Sequence, residues 1–373
     1  MCEDLPENEL FEEVRQKEER IQSYLIKNNL YGMVIGRQDN FAWITGGGEN
    51  KVILSSELGF SYLLITREKK MCISLVADYS RVMDEVLTQL GYEGIELMWY
   101  KKSKEEKISE LIFGKRVISD FPIAGADFKL KDIYDLHYPL TEQEIKKYSI
   151  LGKKTEEIIT KISLDMEPGM SEYEIEAKLF FEYTKNNISP SVLLVASDER
   201  IIKYRHPIPS KKRVEKYVMI SPAVRKWGLH ANVCRLIYFG EPPSELLNKY
   251  RAASIIAAHV LSMCKEGALF KHILKEEIRL YKVLGYEHEW KNHFQGGITG
   301  YMVSDPTLCF DDTARVRINQ AFEWFITISG VKVSELSVCT NKGRDVLSVN
   351  GLWPTEEYSA NGEVYRFPEI LIR

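Results

Sequence analysis

Residues Tyr217 to Pro243 read YVMISPAVRKWGLHANVCRLIYFGEPP, and this stretch decides the architecture of the chain. Tyr217–Val224 is a short, nearly continuous apolar run, the pattern of a strand covered on both faces. Beyond it, Trp227–Phe239 alternates and reads as one long strand, with His230, Asn232, Cys234 and Leu236 on a shared face. Strands of this kind need helical layers, and the flanks supply them. On the C-terminal side, helices are expected over about Ser244–Cys264 and Phe270–Leu284, then a glycine-rich run NHFQGGITGY and a strand-like stretch Ala321–Thr340. On the N-terminal side, Thr141 opens a long charged helix, TEQEIKKYSILGKKTEEIITKI. Ser171 with Glu174 three residues on forms a capping box that starts another helix, and Ser191–Ser197 reads as a further buried strand.

The first part of the chain has a different rhythm. Leu10–Leu30 carries helical spacing, with acidic residues crowded at its start, where the helix dipole favours them. Short β-rich runs follow at Tyr31–Gly36, Phe41–Thr45, Phe60–Thr66 and Met71–Val76. Next come a helix near Tyr79–Leu90, a strand near Ile95–Met98, a charged helix from Ser103 and a strand at Arg116–Ser119. Helices and strands in this alternation indicate an α/β (α+β) chain, with a small mixed N-terminal domain and a larger C-terminal one. At roughly 150 residues per core, 373 residues divide into about two domains, which the order of elements places at 1–137 and 138–373.

Composition narrows the function classes. With 45% hydrophobic and 28% charged residues the chain is of the ordinary globular kind, and a net charge of −4 gives no basic body for nucleic acid. No apolar run is long enough to cross a bilayer, and the acidic start MCEDLPENELFEE is unlike a secretory signal, so a cytoplasmic setting is expected. Cys2, Cys72, Cys234, Cys264, Cys309 and Cys339 are scattered singly, which fits reduced thiols rather than a zinc or disulfide framework.

Seven histidines are few enough to weigh one by one. His206 stands in Tyr204-Arg205-His206-Pro207-Ile208-Pro209, where the prolines impose an extended loop. It reads either as a proton-transfer group or as a solvated loop histidine. His293 precedes Gln295-Gly296-Gly297, with Gly300 and Tyr301 after it; such glycines let backbone approach a ligand, or mark a bulge or tight turn. His230 faces a pocket or is a satisfied core residue. His137, His259, His272 and His288 read as packing or surface residues. Lys203, Arg205, Lys211, Lys212, Arg213 and Lys216 form a basic loop, suited to an anionic ligand or simply to water. No dinucleotide fingerprint, phosphate-binding loop or serine-nucleophile elbow is present.

Six segments in order carry a resemblance: TEQEIKKYSILGKKTEEI, EPGMSEYEIEAKL, RHPIPS, YVMISPAVRKWGLHANVCRLIYFGEPP, HFQGGITGY and GVKVSELSVCTNKG. From about Thr141 onward the chain resembles the "pita-bread" domain shared by creatinase, prolidase, aminopeptidase P and methionine aminopeptidase. The first half resembles the smaller N-terminal domain of the creatinase and prolidase branch. The active peptidases hold two divalent metals with two Asp, one His and two Glu. Carried over onto this sequence, those positions fall on Ser221, Asn232, Gly297 and Ser334, while one Glu has no counterpart in AFEWFITISG. Glu335 lies one position late, which on a strand is the opposite face; it or Asp305 would serve only in a shifted alignment. Two divalent ions need anionic oxygens to bridge them, and these residues supply none, so no metal and no other cofactor is expected.

Creatinase works without metal through a histidine that corresponds to His206. One of its substrate-binding Glu matches Cys234 and the other lies in the missing segment, which speaks against creatine as the ligand. The resemblance therefore implies a metal-independent binder or hydrolase of a small amino-acid- or peptide-like ligand. His206 would be the acid–base group, and His293, Arg235, Tyr301 and Lys332 would line the cleft. The competing reading is a non-enzymatic pseudo-peptidase acting as an interaction module; an active Xaa-Pro metallopeptidase is the third. A homodimer is expected from the branch, with no nucleic-acid or membrane partner.

Overall fold

The computed structural model describes residues 6–305 and 309–373. The chain forms two compact units, Asp4–Glu144 with Trp227–Leu229, and Ile145–Lys226 with His230–Arg373. Cys2 lies outside the described residues.

The N-terminal unit opens with helix α1 (Glu7–Lys27), followed by β1 (Gly32–Arg37), α2 (Gln38–Ile44), β2 (Leu58–Thr66), β3 (Lys70–Leu75), α3 (Val76–Arg81) and β4 (Tyr92–Leu97). It continues through α4 (Lys104–Leu111), β5 (Val117–Ser119), β6 (Asp127–Phe128) and α5 (Leu130–His137). The six strands form one mixed sheet in the order β4-β3-β2-β1-β5-β6. Val34, Tyr62, Leu64, Ile73, Ile108 and Phe121 fill the space between one sheet face and α4. Ser103 caps α4 with a full capping box.

One local expectation fails here. Phe41–Thr45 is not a strand but the second half of α2, with Asn40, Phe41, Ala42, Trp43 and Ile44 all buried. A short run that is apolar all round looks the same to a periodicity test whether it is strand or helix. The helix is settled by tertiary contacts: the buried Lys17 ammonium donates to the Trp43 carbonyl at 2.8 Å and pairs with Glu144 at 2.9 Å.

The C-terminal unit begins within α6 (Glu142–Leu164) and runs on through α7 (Glu172–Lys185), β7 (Ser189–Ser197), α8 (Glu199–Lys203), β8 (Tyr217–Lys226), β9 (Leu229–Asn232) and β10 (Arg235–Tyr238). Then come α9 (Ser244–Met263), α10 (Phe270–Val283), β11 (Gly296–Ile298), β12 (Gln320–Trp324), β13 (Ile326–Ile328), β14 (Val331–Val333), β15 (Leu336–Thr340) and β16 (Gly343–Val346). The chain closes with β17 (Thr355–Ala360), β18 (Glu363–Pro368) and β19 (Leu371–Ile372). Strands β19-β10-β8-β7 make one sheet, with β9 also paired to β8, and β11-β12-β15-β16 make a second. The pairs β13–β14 and β17–β18 are hairpins.

The long strand expected over Trp227–Phe239 is broken twice. Trp227 and Gly228 both turn at positive φ (53° and 81°), which ends β8. At Val233–Cys234 the chain leaves its ladder: Val233 N–H donates to the Pro222 carbonyl and Cys234 N–H to the Ser334 carbonyl. The regular strand alternation from His230 and Asn232 therefore does not run on unbroken to Cys234 and Leu236. Among the described residues no helix is long and apolar enough to cross a membrane.

Candidate functional site

Sites in this unit depend on how one loop is held. Glu172, first residue of α7, is fully buried. Its carboxylate accepts from the Ser197 amide (2.8 Å) and hydroxyl (2.9 Å), and from the Ser210 amide (2.9 Å) and hydroxyl (2.7 Å). It thereby ties the end of β7 to the far end of the loop that carries His206. Asp198, in a left-handed conformation (φ 52°), anchors the same region by accepting from the amides of Glu215, Lys216 and Tyr217. Three of the loop's basic side chains are answered locally. Arg205 pairs with Glu289, Lys212 with Glu199 at 3.4 Å and with Glu215, and Arg213 lies 3.7 Å from Glu174.

Held this way, the exposed His206 meets half-buried His293, Nε2 to Nε2, at 2.9 Å. The hydrogen-bond pattern assigns the tautomers. The Phe294 carbonyl can only accept, so His293 Nδ1 carries the proton that it receives. With both rings neutral, His293 Nε2 is then a lone pair, and His206 Nε2–H is the donor to it. Neutrality is favoured on both sides. Burial pushes the His293 pKa down to about 4, with Lys332 and His206 adding to the shift against its backbone bond to Phe294. Burial and then Lys332 lower the His206 pKa as well.

These two histidines lie at a cavity of about 80 Å³, lined otherwise by Val192, Leu194, Ser221, Pro222, Ala223, Asn232, Phe294, Val303, Phe325 and Lys332. Ser221 sits in β8 opposite Leu194, and Asn232 ends β9, donating from Nδ2 to the Val303 carbonyl at 3.1 Å. Lys332, in β14, is only 8% exposed. Its ammonium donates to the Ser221 hydroxyl at 2.9 Å and lies 4.7 Å from the centre of the Phe325 ring. Among the described residues the lining contains no carboxylate. A second cavity of about 300 Å³ shares His293 and Phe294 with the first and includes Trp290, Lys291, Gln295 and Phe310.

Five residues singled out in the sequence, His206, His293, Ser221, Asn232 and Lys332, are thus brought together, and others are not. Arg235 is fully buried and spent within the protein: it pairs with Glu335 and with Glu156 (2.9 Å), and donates to the Ser348 carbonyl at 3.0 Å. Burial opposes its charge, but the two carboxylates override that and raise its pKa. Tyr301 is buried and absent from the cavity lining, as are Gly297 and Ser334. Gly296 and Gly297 belong to β11 and answer the close approach of another strand. A Cβ at Gly296 (φ 94°) would stand 2.1 Å from the Glu323 carbonyl oxygen. Glu335 faces Arg235, not the cavity.

The apolar half of the lining was not named from the sequence. Val192, Leu194, Phe294 and Phe325 carry no chemical signature, and only the alternation of β7 hints at which residues turn toward Ser221. Among the described residues no group of three or more His, Cys, Asp or Glu side chains is placed to hold a metal ion. The donor set does not suit a divalent pair: two neutral oxygens, two imidazoles and a buried ammonium leave its charge unanswered.

Residues 146–322 match the model of metallopeptidase family M24. The fold is similar to the dipeptidase PepE from Mycobacterium ulcerans, with 13% identity over 97% of this chain and 98% of that one, at a TM-score of 0.77. It is similar to the Xaa-Pro dipeptidase from Bacillus anthracis, with 16% identity over 96% and 100% of the two chains, at 0.75. It also resembles the N-terminal domain of the FACT complex subunit SPT16 from Eremothecium gossypii, with 11% identity over 91% and 96%, at 0.67. No curated protein matches the sequence. Residues 146–322 thus match the M24 family model, and the chain shares the pita-bread fold of the dipeptidases named above.

Proposed function

We propose that this protein is a metal-independent member of the prolidase and creatinase branch that binds a small amino-acid- or peptide-like ligand in the cavity beneath His206 and His293. One observation carries the reading: where the resemblance locates two metal-binding carboxylates, Ser221 and Asn232 stand instead, and a lysine ammonium is bonded to Ser221. A resident cation among the lining residues repels a second one, and nothing there offsets the charge of a divalent pair. If the ligand is turned over, His206 is the group suited to move the proton, since its second ring nitrogen stays free of the bond to His293.

The test has two arms. Metal content after dialysis against manganese should stay far below one equivalent, and hydrolysis of Xaa-Pro dipeptides should not respond to added manganese. A stoichiometric, tightly held metal would end the proposal. For turnover, His206→Ala should abolish the activity without changing the unfolding midpoint, and an unchanged rate would remove the proposed role.

A second reading has its own support. A similar fold serves as a domain of a subunit of a complex, and the cavity is small. On this reading the chain is an interaction module without turnover. A cytoplasmic homodimer remains the proposed setting, to be checked by sedimentation of the purified chain.

A further inference from the structure

We infer that the cavity is an anion site, built to take the carboxylate of its ligand onto Lys332 and Ser221. The inference rests on the metal-independent binding site proposed above and names the chemistry that such a site selects.

The argument is one of charge balance. Moving an ammonium out of water costs several kcal/mol unless an opposite charge or a full set of hydrogen bonds replaces the water. Lys332 is more than nine-tenths buried and has three N–H donors, yet the side-chain partner at its ammonium is a single neutral hydroxyl, Ser221. The Phe325 ring face adds a modest cation–π attraction that leaves the donors unused. Among the described residues lining the cavity there is no carboxylate to pair with it. The buried acidic groups that influence it, the Cys234 thiol first and then Glu323, are themselves held toward the neutral form by burial.

The remaining lining sets the size and sign of the occupant. The two imidazoles favour the neutral form, and Asn232 spends an N–H on the Val303 carbonyl. Among the described residues of the lining, Lys332 is therefore the one charged group, beside neutral polar side chains and an apolar wall of Val192, Leu194, Pro222, Ala223, Phe294 and Phe325. Such a site prefers a compact anion with a short apolar body and rejects a cation. A volume of about 80 Å³ holds a carboxylate head with a few carbons, and the neighbouring 300 Å³ cavity that shares His293 and Phe294 leaves room for more.

Calorimetric titration of the full chain at neutral pH tests this with glycyl-proline, its C-terminal amide, and acetate against equal ionic strength of chloride. The dipeptide acid should bind at least tenfold more tightly than the amide, and acetate should compete with it. Lys332→Met should remove that preference while circular dichroism stays unchanged. Ser221→Ala, a smaller change, should weaken acid binding several-fold and leave the amide untouched. Acid and amide binding alike in the wild type would overturn the anion inference and leave the binding-site proposal standing. If neither peptide binds, the binding-site proposal fails. Acetate then decides the anion site alone: a rise in the unfolding midpoint of the wild type but not of Lys332→Met supports it, and no rise overturns it.

Discussion

The Lys332 ammonium reaches the Ser221 hydroxyl at 2.9 Å, and this contact joins strand β14 of a hairpin to strand β8 of the five-stranded sheet. It is a polar tie placed where an apolar side chain would fit the surrounding wall of Phe325, Val192 and Leu194. Burying that charge against one neutral hydroxyl is unfavourable for folding, and the Phe325 ring offsets part of the cost. Lys332→Met should therefore raise the unfolding free energy, by about 1–2 kcal/mol, while damaging anion binding. Denaturant titration checks the sign, and a clear loss of stability would mean that the ammonium is satisfied in a way its contacts do not account for.

Glu277, in α10, lies fully buried with both carboxylate oxygens lacking a hydrogen-bond partner among the described residues. Burial holds its pKa well above 4.5, so the folded protein keeps the proton that the unfolded chain releases. The unfolded state gains from that release as pH rises past 4.5, and the stability contributed by this group falls over the same range. Glu277→Gln removes the ionisation and keeps the shape. It should gain stability over the wild type at pH 8 and show little difference near pH 4.5, as read from unfolding curves at the two pH values.

The histidine pair works in the opposite direction. Its folded pKa values are depressed, to about 4 for His293, so below pH 6.5 the unfolded chain takes up protons that the folded one refuses. Stability from these groups is present above pH 6.5 and is lost as pH falls toward 4. Between pH 7.5 and 5 the loss attributable to His293 should be about 1 kcal/mol, once solvent screening at a half-buried ring is allowed for. His293→Gln should flatten this part of the pH–stability curve. A curve that keeps its slope in the variant would assign the effect elsewhere.

How much of this was legible in the sequence differs from residue to residue. Ser103, Thr141 and Ser171 announce helices because a hydroxyl and a Glu three residues later satisfy each other locally, and all three do so in the structure. Both ends of β8 could be read roughly, but the breaks after it could not. The turn at Trp227–Gly228 lies inside an alternating pattern, and the break at Val233–Cys234 is set by the Ser334 carbonyl about a hundred residues further on. Polar members of the cavity carry chemistry that a sequence displays, whereas Phe294 and Phe325 join them only in the folded chain, where the two rings pack edge to face beside Lys332. Arg235 shows the same limit. Its type suggested a ligand contact, and its use was decided by Glu156 and Glu335, both distant in sequence.

That use of Arg235 makes a last prediction. Its guanidinium is completely buried, forks onto Glu335, reaches Glu156 at 2.9 Å and the Ser348 carbonyl at 3.0 Å, and lies 5.7 Å from the centre of the Trp353 ring. Removing the cation strands two buried carboxylates, and one of them, Glu335, already has its pKa pushed up to about 7 by burial despite the arginine. Arg235→Met should cost roughly 3–5 kcal/mol of stability, most of it the cost of the uncompensated acids. The loss should be smaller at pH 5 than at pH 8, because protonating Glu335 removes the stranded charge. Glu335→Gln, which keeps shape and hydrogen bonding while losing one charge, should cost less. Under conditions where both variants remain folded, acetate and glycyl-proline affinities should stay within about twofold of the wild type, since the arginine does not line the cavity. A large drop in affinity with little change in stability would reverse this assignment and return Arg235 to the binding site.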